Sequence, residues 1–562
     1  MTRAAVPNPN RLRSGTELFD FADFFDSNGN IQAVSGFTGR KKNDSSGVTN
    51  IVYTKETDSV KMSASYNNST RYVGVEIEKD TAWDLTNVND LLVEIGFDPQ
   101  SNGCDGGAFG FRILLMYDSG TTSTNYLWSS ATWLSAAQVP KQGKMCVRHK
   151  ISDFAVANGT KTIAEVLAAT KRIGIRLYAT GYAPSGGTID CNMRVRRLYA
   201  NARQRPKLAF SFDDFHPSVV TFVKPIFDAY GWVGAVGACG GPISSPATYG
   251  LTGGTNIATP AQVTTLHDAG WDVTNHTWEH RSLTDRLSLA TYTASGHALG
   301  DRIAVLNTKF STTRAVNDSI TIAYGIDPTW CGTFTILAKT DGGAAWPTDT
   351  EGTITIQLPA APNLTSGFGF LYAEPPAGWE AHLAAQLDAN ATYLASQGWT
   401  RGSDIVIYPF GGVSPALKPL IEARGYRAAR GTGYVWSPYY GGALAGISNY
   451  EMGGLSTFSG WFDKYELPII FIDDAVADFD TATELLAMVD RVIAEGGVCM
   501  PYGHTFTGSG SSNYETAEAT AFFAGVRQRE LQGLIDVVGL SELVDIITDE
   551  ASGRIPTSRL SA

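Results

Sequence analysis

The stretch Lys207-Leu-Ala-Phe-Ser-Phe-Asp-Asp-Phe215 constrains this chain more than any other. Leu208–Phe212 is a short apolar run with the composition of a buried strand. It ends in two adjacent carboxylates, Asp213 and Asp214. An unpaired buried charge costs several kcal/mol or shifts its pKa. The strand is therefore expected to open at its C-terminal end into a site, where one carboxylate binds a cation and its neighbour works as a base. Further on, Trp271-Asp-Val-Thr-Asn-His-Thr-Trp-Glu-His280 sets two histidines four apart. On one helical turn both imidazoles would face the same way. Two such histidines plus a carboxylate from elsewhere form a usual ligand set for a catalytic zinc, with one position open for water. Taken singly, each half has an ordinary explanation: the Asp pair as a helix cap or turn, the histidine spacing as coincidence. Their order in one chain favours the metal site.

Length and composition set the surroundings. With 562 residues the chain suggests two to four domains, and 59 glycines with 11% aromatics suggest many strands and turns. The net charge of −12 comes without any basic block, so neither nucleic acid nor an anionic membrane is an expected partner. No run of 18 apolar residues exists, which argues against membrane insertion. Met1–Arg11 lacks an apolar core and does not read as a secretory signal. The expected location is extracellular or virion-associated, reached by lysis or assembly into a particle, with retention inside as the alternative. Cys104, Cys146, Cys191, Cys239, Cys331 and Cys499 are scattered, so neither a disulfide framework nor a thiolate zinc site is expected. Cys104, in a Gly-rich stretch, is expected to be exposed.

The fold class expected is α/β: a distorted parallel (β/α) barrel with an inserted β-subdomain, preceded by an all-β, jelly-roll-like sandwich. Residues 1–14 read as a polar arm. Residues 15–203 alternate in short strands between Gly/Asn/Ser turns, with one helix at Thr162–Thr170, as in a sandwich. Trp83, Trp128 and Trp133 are either a sugar-stacking platform or core aromatics. From 204 to 550 strands alternate with helices, and Thr259 before Pro260 marks a helix start. That order predicts a parallel barrel whose working end is the C-terminal end of its strands. Within it, residues 290–372 read as antiparallel strands, Thr353–Leu358 most clearly. A helix is expected over 377–397, and residues 551–562 form a tail.

Ser211-Phe-Asp-Asp-Phe215 followed by His276-Thr-x-x-His280 resembles the first two motifs of the polysaccharide deacetylases, carbohydrate esterase family four. Ile407-Tyr-Pro-Phe-Gly411 is similar to the third, and Pro501-Tyr-Gly-His504 stands where a late motif supplies a histidine. The matches run in order over roughly 205–550. The resemblance implies zinc, or another divalent transition metal, on Asp214, His276 and His280. It makes Asp213 the base, the Phe410 N–H an oxyanion donor and His504 the acid. Tyr408, Phe410 and Arg430 are the expected substrate and oxyanion residues, and Thr277 fits a slot that supports the metal loop.

Three departures bear on that reading. Phe215 replaces a glycine. Ile407 replaces the arginine that orients the base, with Arg430 as the candidate substitute. The Asp/Trp pair bracing the acid histidine is not evident, with Trp436, Asp473 and Asp474 as candidates. His216 is either a substrate contact or a loop residue, and His149, His267, His297 and His382 read as structural or solvated. The expected function is zinc-dependent removal of N- or O-linked acetyl groups from an acetylated polysaccharide, for example a bacterial capsule. A phage tail-spike setting would suit a homotrimer. The competing reading is an inactive carbohydrate-binding or adhesin protein on the same scaffold. Glycoside hydrolysis, which needs two carboxylates facing each other across a cleft, suits adjacent Asp213 and Asp214 poorly.

Overall fold

The computed structural model describes residues 14–20, 33–34, 37–43, 48–57, 59–66, 71–97, 108–119, 124–129, 132–135, 144–180, 189–203, 206–294, 302–324, 332–342, 351–358, 370–414, 416–434, 464–465, 467–472, 481–507, 513–552 and 558–559. The possible platform residue Trp133 lies in a described strand, but its side chain lies outside the described residues, as do Cys104, His297, Trp436, Asp473 and Asp474.

The N-terminal part is built from two sheets, antiparallel except where Ser558–Arg559, in the expected tail, pairs in parallel with Ser14–Asp20. The long strands Arg71–Trp83, Ala108–Met116 and Thr170–Thr180 form the centre of one, and Asp90–Phe97 and Ile189–Arg203 that of the other. Alternate residues from both, such as Val75, Ile113 and Ile175 against Val93 and Val195, share one buried core. The helix Ile163–Ala168 starts at Thr162, whose side chain and Glu165 form a capping box. Trp83 is 2% exposed and belongs to this core, with Lys79 over its ring, so it offers no platform for sugars. Trp128 is half-buried with the Arg112 guanidinium 4.1 Å from its ring centre.

In the second part, seven short parallel strands close on themselves. They are Ser211–Phe212, Ala235–Ala238, Asp272–Asn275, Ile405–Ile407, Ala428–Tyr434, Leu467–Phe471 and Pro501–Gly503. The expected single strand over 207–212 is broken. Lys207–Leu208 joins a separate three-stranded sheet, and only Ser211–Phe212 enters the ring. Small or branched residues fill one end of the ring, including Ala209, Ala235, Ile405 and Ala428, beneath the helix Leu540–Ser552. Asp272 accepts from the Ser541 amide at 2.8 Å and ties that helix to the ring. A broader apolar layer packs the helices Lys224–Tyr230, Pro260–Asp268, Ala482–Glu495 and Thr516–Leu531 outside it. The helix expected over 377–397 is two α segments, Trp379–Leu383 and Ala389–Ser396, joined by a π turn at Ala384–Asp388.

The insertion is itself a closed antiparallel barrel of six strands, from Asp285–Ala294 to Phe370–Ala373. Its first and last strands pair, Asp285 opposite Ala373, so the chain leaves and rejoins the larger ring at one point. Among the described residues no helix is long and apolar enough to cross a membrane.

Candidate active site

The carboxylate pair follows the Ser211–Phe212 strand. This strand lies between Ala235–Ala238 and Pro501–Gly503, and the Asp213 amide donates to the Gly503 carbonyl at 2.9 Å. His276 follows Asp272–Asn275, Phe410 follows Ile405–Ile407, and His504 follows Pro501–Gly503. All four thus lie just past the C-terminal ends of ring strands, where such barrels place their chemistry.

His276 and His280 do not share a helical turn as expected. They lie in an irregular loop in which Thr277 and His280 have left-handed backbones, φ 67° and 57°. The loop still brings both rings to one carboxylate. Asp214 Oδ1 is 3.2 Å from His276 Nε2 and 3.0 Å from His280 Nε2. The three ligand atoms lie within 4.8 Å of one another. His276 Nδ1 donates to the Ile407 carbonyl at 2.8 Å, which fixes the ring with Nε2 toward Asp214. Burial alone would push the Asp214 carboxyl upward. The charge of His280 and hydrogen bonds from both imidazoles outweigh that and hold it well below the usual carboxylate range. Burial pushes the His276 imidazole down, but Asp214 and Asp213 outweigh it and raise its pKa. The pocket therefore favours a cation held between two imidazoles and a carboxylate. This donor set fits zinc or a similar divalent transition metal.

Asp213 is held separately. Its Oδ1 accepts from Arg430 Nη2, and both side chains are buried. Arg430 Nη2 also donates to Ser211 Oγ at 3.1 Å. Arg430 lies opposite Ile407 on the adjacent strand, so the cation missing from position 407 is present one strand over. Fully buried, Arg430 does not reach the surface where a substrate would lie. The Arg430 guanidinium stacks 4.6 Å from the Tyr502 ring centre, and that ring meets His504 edge-on at 5.5 Å.

Tyr408, expected at the substrate surface, is instead wholly buried in an apolar cluster with Leu387, Leu417 and Ile421. The chain turns over between Tyr408 and Phe410, so only Phe410 faces the site. Its ring meets His280 edge-on at 4.6 Å. Among the described residues eight non-glycine positions have positive φ, and five are here: Asp214, Phe215, Thr277, His280 and Phe410. Three of the remaining positions are asparagine, which tolerates this conformation. Strain of this kind persists only where surrounding structure over-determines it.

Here that structure is a buried amide network that carried no sequence signal. Asn275 Nδ2 donates to the Leu387 carbonyl and the Tyr426 hydroxyl at 3.0 and 2.7 Å. Asn275 Oδ1 accepts from the Thr277 amide at 3.0 Å and Asn390 Nδ2 at 2.9 Å. A Cβ at Gly237 would come within 3.1 Å of the His276 ring, so glycine leaves the ring its space. His216 is tied into its own loop, accepting from the Ser218 amide at 3.2 Å. His149, His267 and His382 lie away from the metal ligands, and Cys239 is buried, donating to the His276 carbonyl at 3.1 Å.

The closed ring of parallel strands carries Asp213, Asp214, His276, His280 and His504 beyond the C-terminal ends of its strands. Residues 200–295 match the family model for polysaccharide deacetylases. That segment holds Asp213, Asp214, His276 and His280. Among solved structures, a candidate polysaccharide deacetylase from Mycobacterium smegmatis is similar at 11% identity, over 64% of this chain and 94% of that one, with a TM-score of 0.29. The mannan-recognising carbohydrate-binding module TmCBM27 is similar at 14% identity, over 34% of this chain and 98% of that one, with a TM-score of 0.19. The non-crystalline-cellulose module CBM28 is similar at 9% identity, over 34% and 97% of the two chains, also at 0.19. No curated protein sequence matches this chain.

Proposed function

We propose that this protein hydrolyses N- or O-linked acetyl groups on a polysaccharide, with a divalent metal held by Asp214, His276 and His280. The observation that carries the reading is the meeting of three ligand atoms next to a second carboxylate that is paired on its own with Arg430. A bound zinc, or another divalent transition metal, would supply Lewis acidity toward the acetyl carbonyl and acidify water. Asp213 accepts the proton of the attacking water, and its pairing with Arg430 aims its carboxylate. The Phe410 N–H stabilises the oxyanion. His504 donates a proton to the departing nitrogen or oxygen, with its ring steadied by Tyr502. The N-terminal sandwich holds the enzyme to a glycan surface. A bacterial capsule or cell-surface glycan is the proposed substrate, and an extracellular or virion-associated setting, as a tail-spike trimer, suits it.

Acetate release from acetylated bacterial polysaccharides and chitin oligomers tests this. Chelation, or Asp213→Asn, is expected to lower kcat/KM by about 10²–10⁴, the range for losing a general base, and added zinc to restore only the chelated protein. Stoichiometric metal with no acetate released from any polymer would favour a binding protein. Polymer shortening without acetate release would point to glycoside hydrolysis.

A further inference from the structure

Lys309 reaches the site from the inserted barrel. It follows the Arg302–Thr308 strand, and the residues on either side are anchored. Thr308 Oγ1 donates to Asp285 Oδ1 at 2.6 Å and accepts from the Phe310 amide at 2.9 Å. Phe310 is buried edge-on against His382 at 5.7 Å, and His382 Nε2 donates to the Ser282 carbonyl at 2.9 Å. Between these two anchors the Lys309 ammonium stands 3.8 Å from the centre of the Phe410 ring. Lys309 and Phe410 line a small pocket together with Ser282, Thr284, Glu351 and Gly412.

We infer that Lys309 is a positioning residue, and that the insertion is thereby part of the catalytic unit. The ring of Phe410 contacts both the Lys309 ammonium and the His280 ring. An ammonium over an aromatic face is attracted by the ring quadrupole, more strongly when partly desolvated. Phe410 has φ 56°, a strained conformation for a bulky residue. Fixing its ring at two contacts fixes its backbone, and so the direction of its N–H. What that N–H does rests on the deacetylase reading. The contact and its effect on Phe410 do not.

Pro409–Phe410 is the only Pro-Phe pair in the sequence. Carbonyl-¹³C proline with ¹⁵N phenylalanine therefore yields one amide resonance, that of Phe410. Lys309→Met keeps the length and removes the charge, and Lys309→Arg keeps a cation. The resonance is expected to move in Lys309→Met and return toward its place in Lys309→Arg. In acetate release, Lys309→Met is expected to lower kcat about tenfold, with KM changed less than about twofold, and Lys309→Arg to recover most of it. Metal content and Tm should match the parent protein. An unmoved resonance overturns the inference whatever the reaction. A moved resonance with unchanged kcat, or a loss confined to KM on anionic polymers, overturns the positioning role. Acetate release that survives Asp213→Asn would sink the deacetylase reading instead, and the resonance would still decide the contact.

Discussion

Phe215 stands where the family pattern has glycine, and its backbone shows why glycine suits the place. Its φ is 49°, and its side chain is fully buried in the layer outside the ring. Phe215→Gly would relieve about 1–3 kcal/mol of backbone strain but lose about 3–5 kcal/mol of buried aromatic packing. The expected result is a net loss of about 2 kcal/mol in urea unfolding, with metal binding retained. The site residues were legible where each chemical group announces itself: paired carboxylates, spaced histidines, a late histidine. Tyr408 was misread because a side chain one residue from a turn can face either way, and sequence does not record which. Arg430, the sequence's candidate to orient the base, owes its place to strand register, since its partner across the sheet is Ile407. The amide network of Asn275 and Asn390 joins residues far apart in the chain, and nothing local marks it.

Among the elements, those with end signals were the easiest to read. Capping boxes at Thr259 and Thr481 begin helices, the first of them where the sequence places it. The ring strands were harder, because two- to four-residue strands such as Ser211–Phe212 and Asp272–Asn275 owe their existence to neighbours rather than to their own pattern. The histidine loop was read as helical because spacing alone cannot separate a helical turn from a loop of left-handed residues. The insertion reveals its strands by alternation but not its closure, which depends on one buried group. Arg314 donates to Asp285 Oδ2 through Nε at 3.1 Å and Nη2 at 2.8 Å, and Nη2 also reaches the Glu374 carbonyl at 2.8 Å. It thus joins both ends of the insertion. Burial raises the Asp285 carboxyl above its usual range even so. Arg314→Met would strand a buried carboxylate, at a cost of about 3–5 kcal/mol. Hydrogen exchange is expected to speed up in Arg302–Thr308 and Gly352–Leu358 before it does in the larger ring.

A buried imidazole makes the N-terminal sandwich sensitive to acid. His149 is 5% exposed in the sandwich core, edge-on to Phe111 at 5.2 Å, and burial pushes its pKa down to about 4. In the unfolded chain its ordinary value is 6.5. Above that value neither state is protonated and stability is unaffected. As pH falls below 6.5 the unfolded chain gains a proton that the folded sandwich refuses, and stability declines until about pH 4, by roughly 3 kcal/mol in all. Melting curves between pH 7 and 4.5 should show this decline in the parent protein, and less of it in His149→Phe. Equal slopes in the two would mean that His149 does not set the acid sensitivity.

At the same scale, the order in which the ring closes has a consequence for synthesis. The Ser211–Phe212 strand is completed by Pro501–Gly503, whose last carbonyl receives the Asp213 amide. A nascent chain therefore holds both histidines and both carboxylates long before it holds the strand that fixes them. Contacts between such distant segments form late and slowly. The candidate site is therefore fully assembled only after the end of the ring has been synthesised.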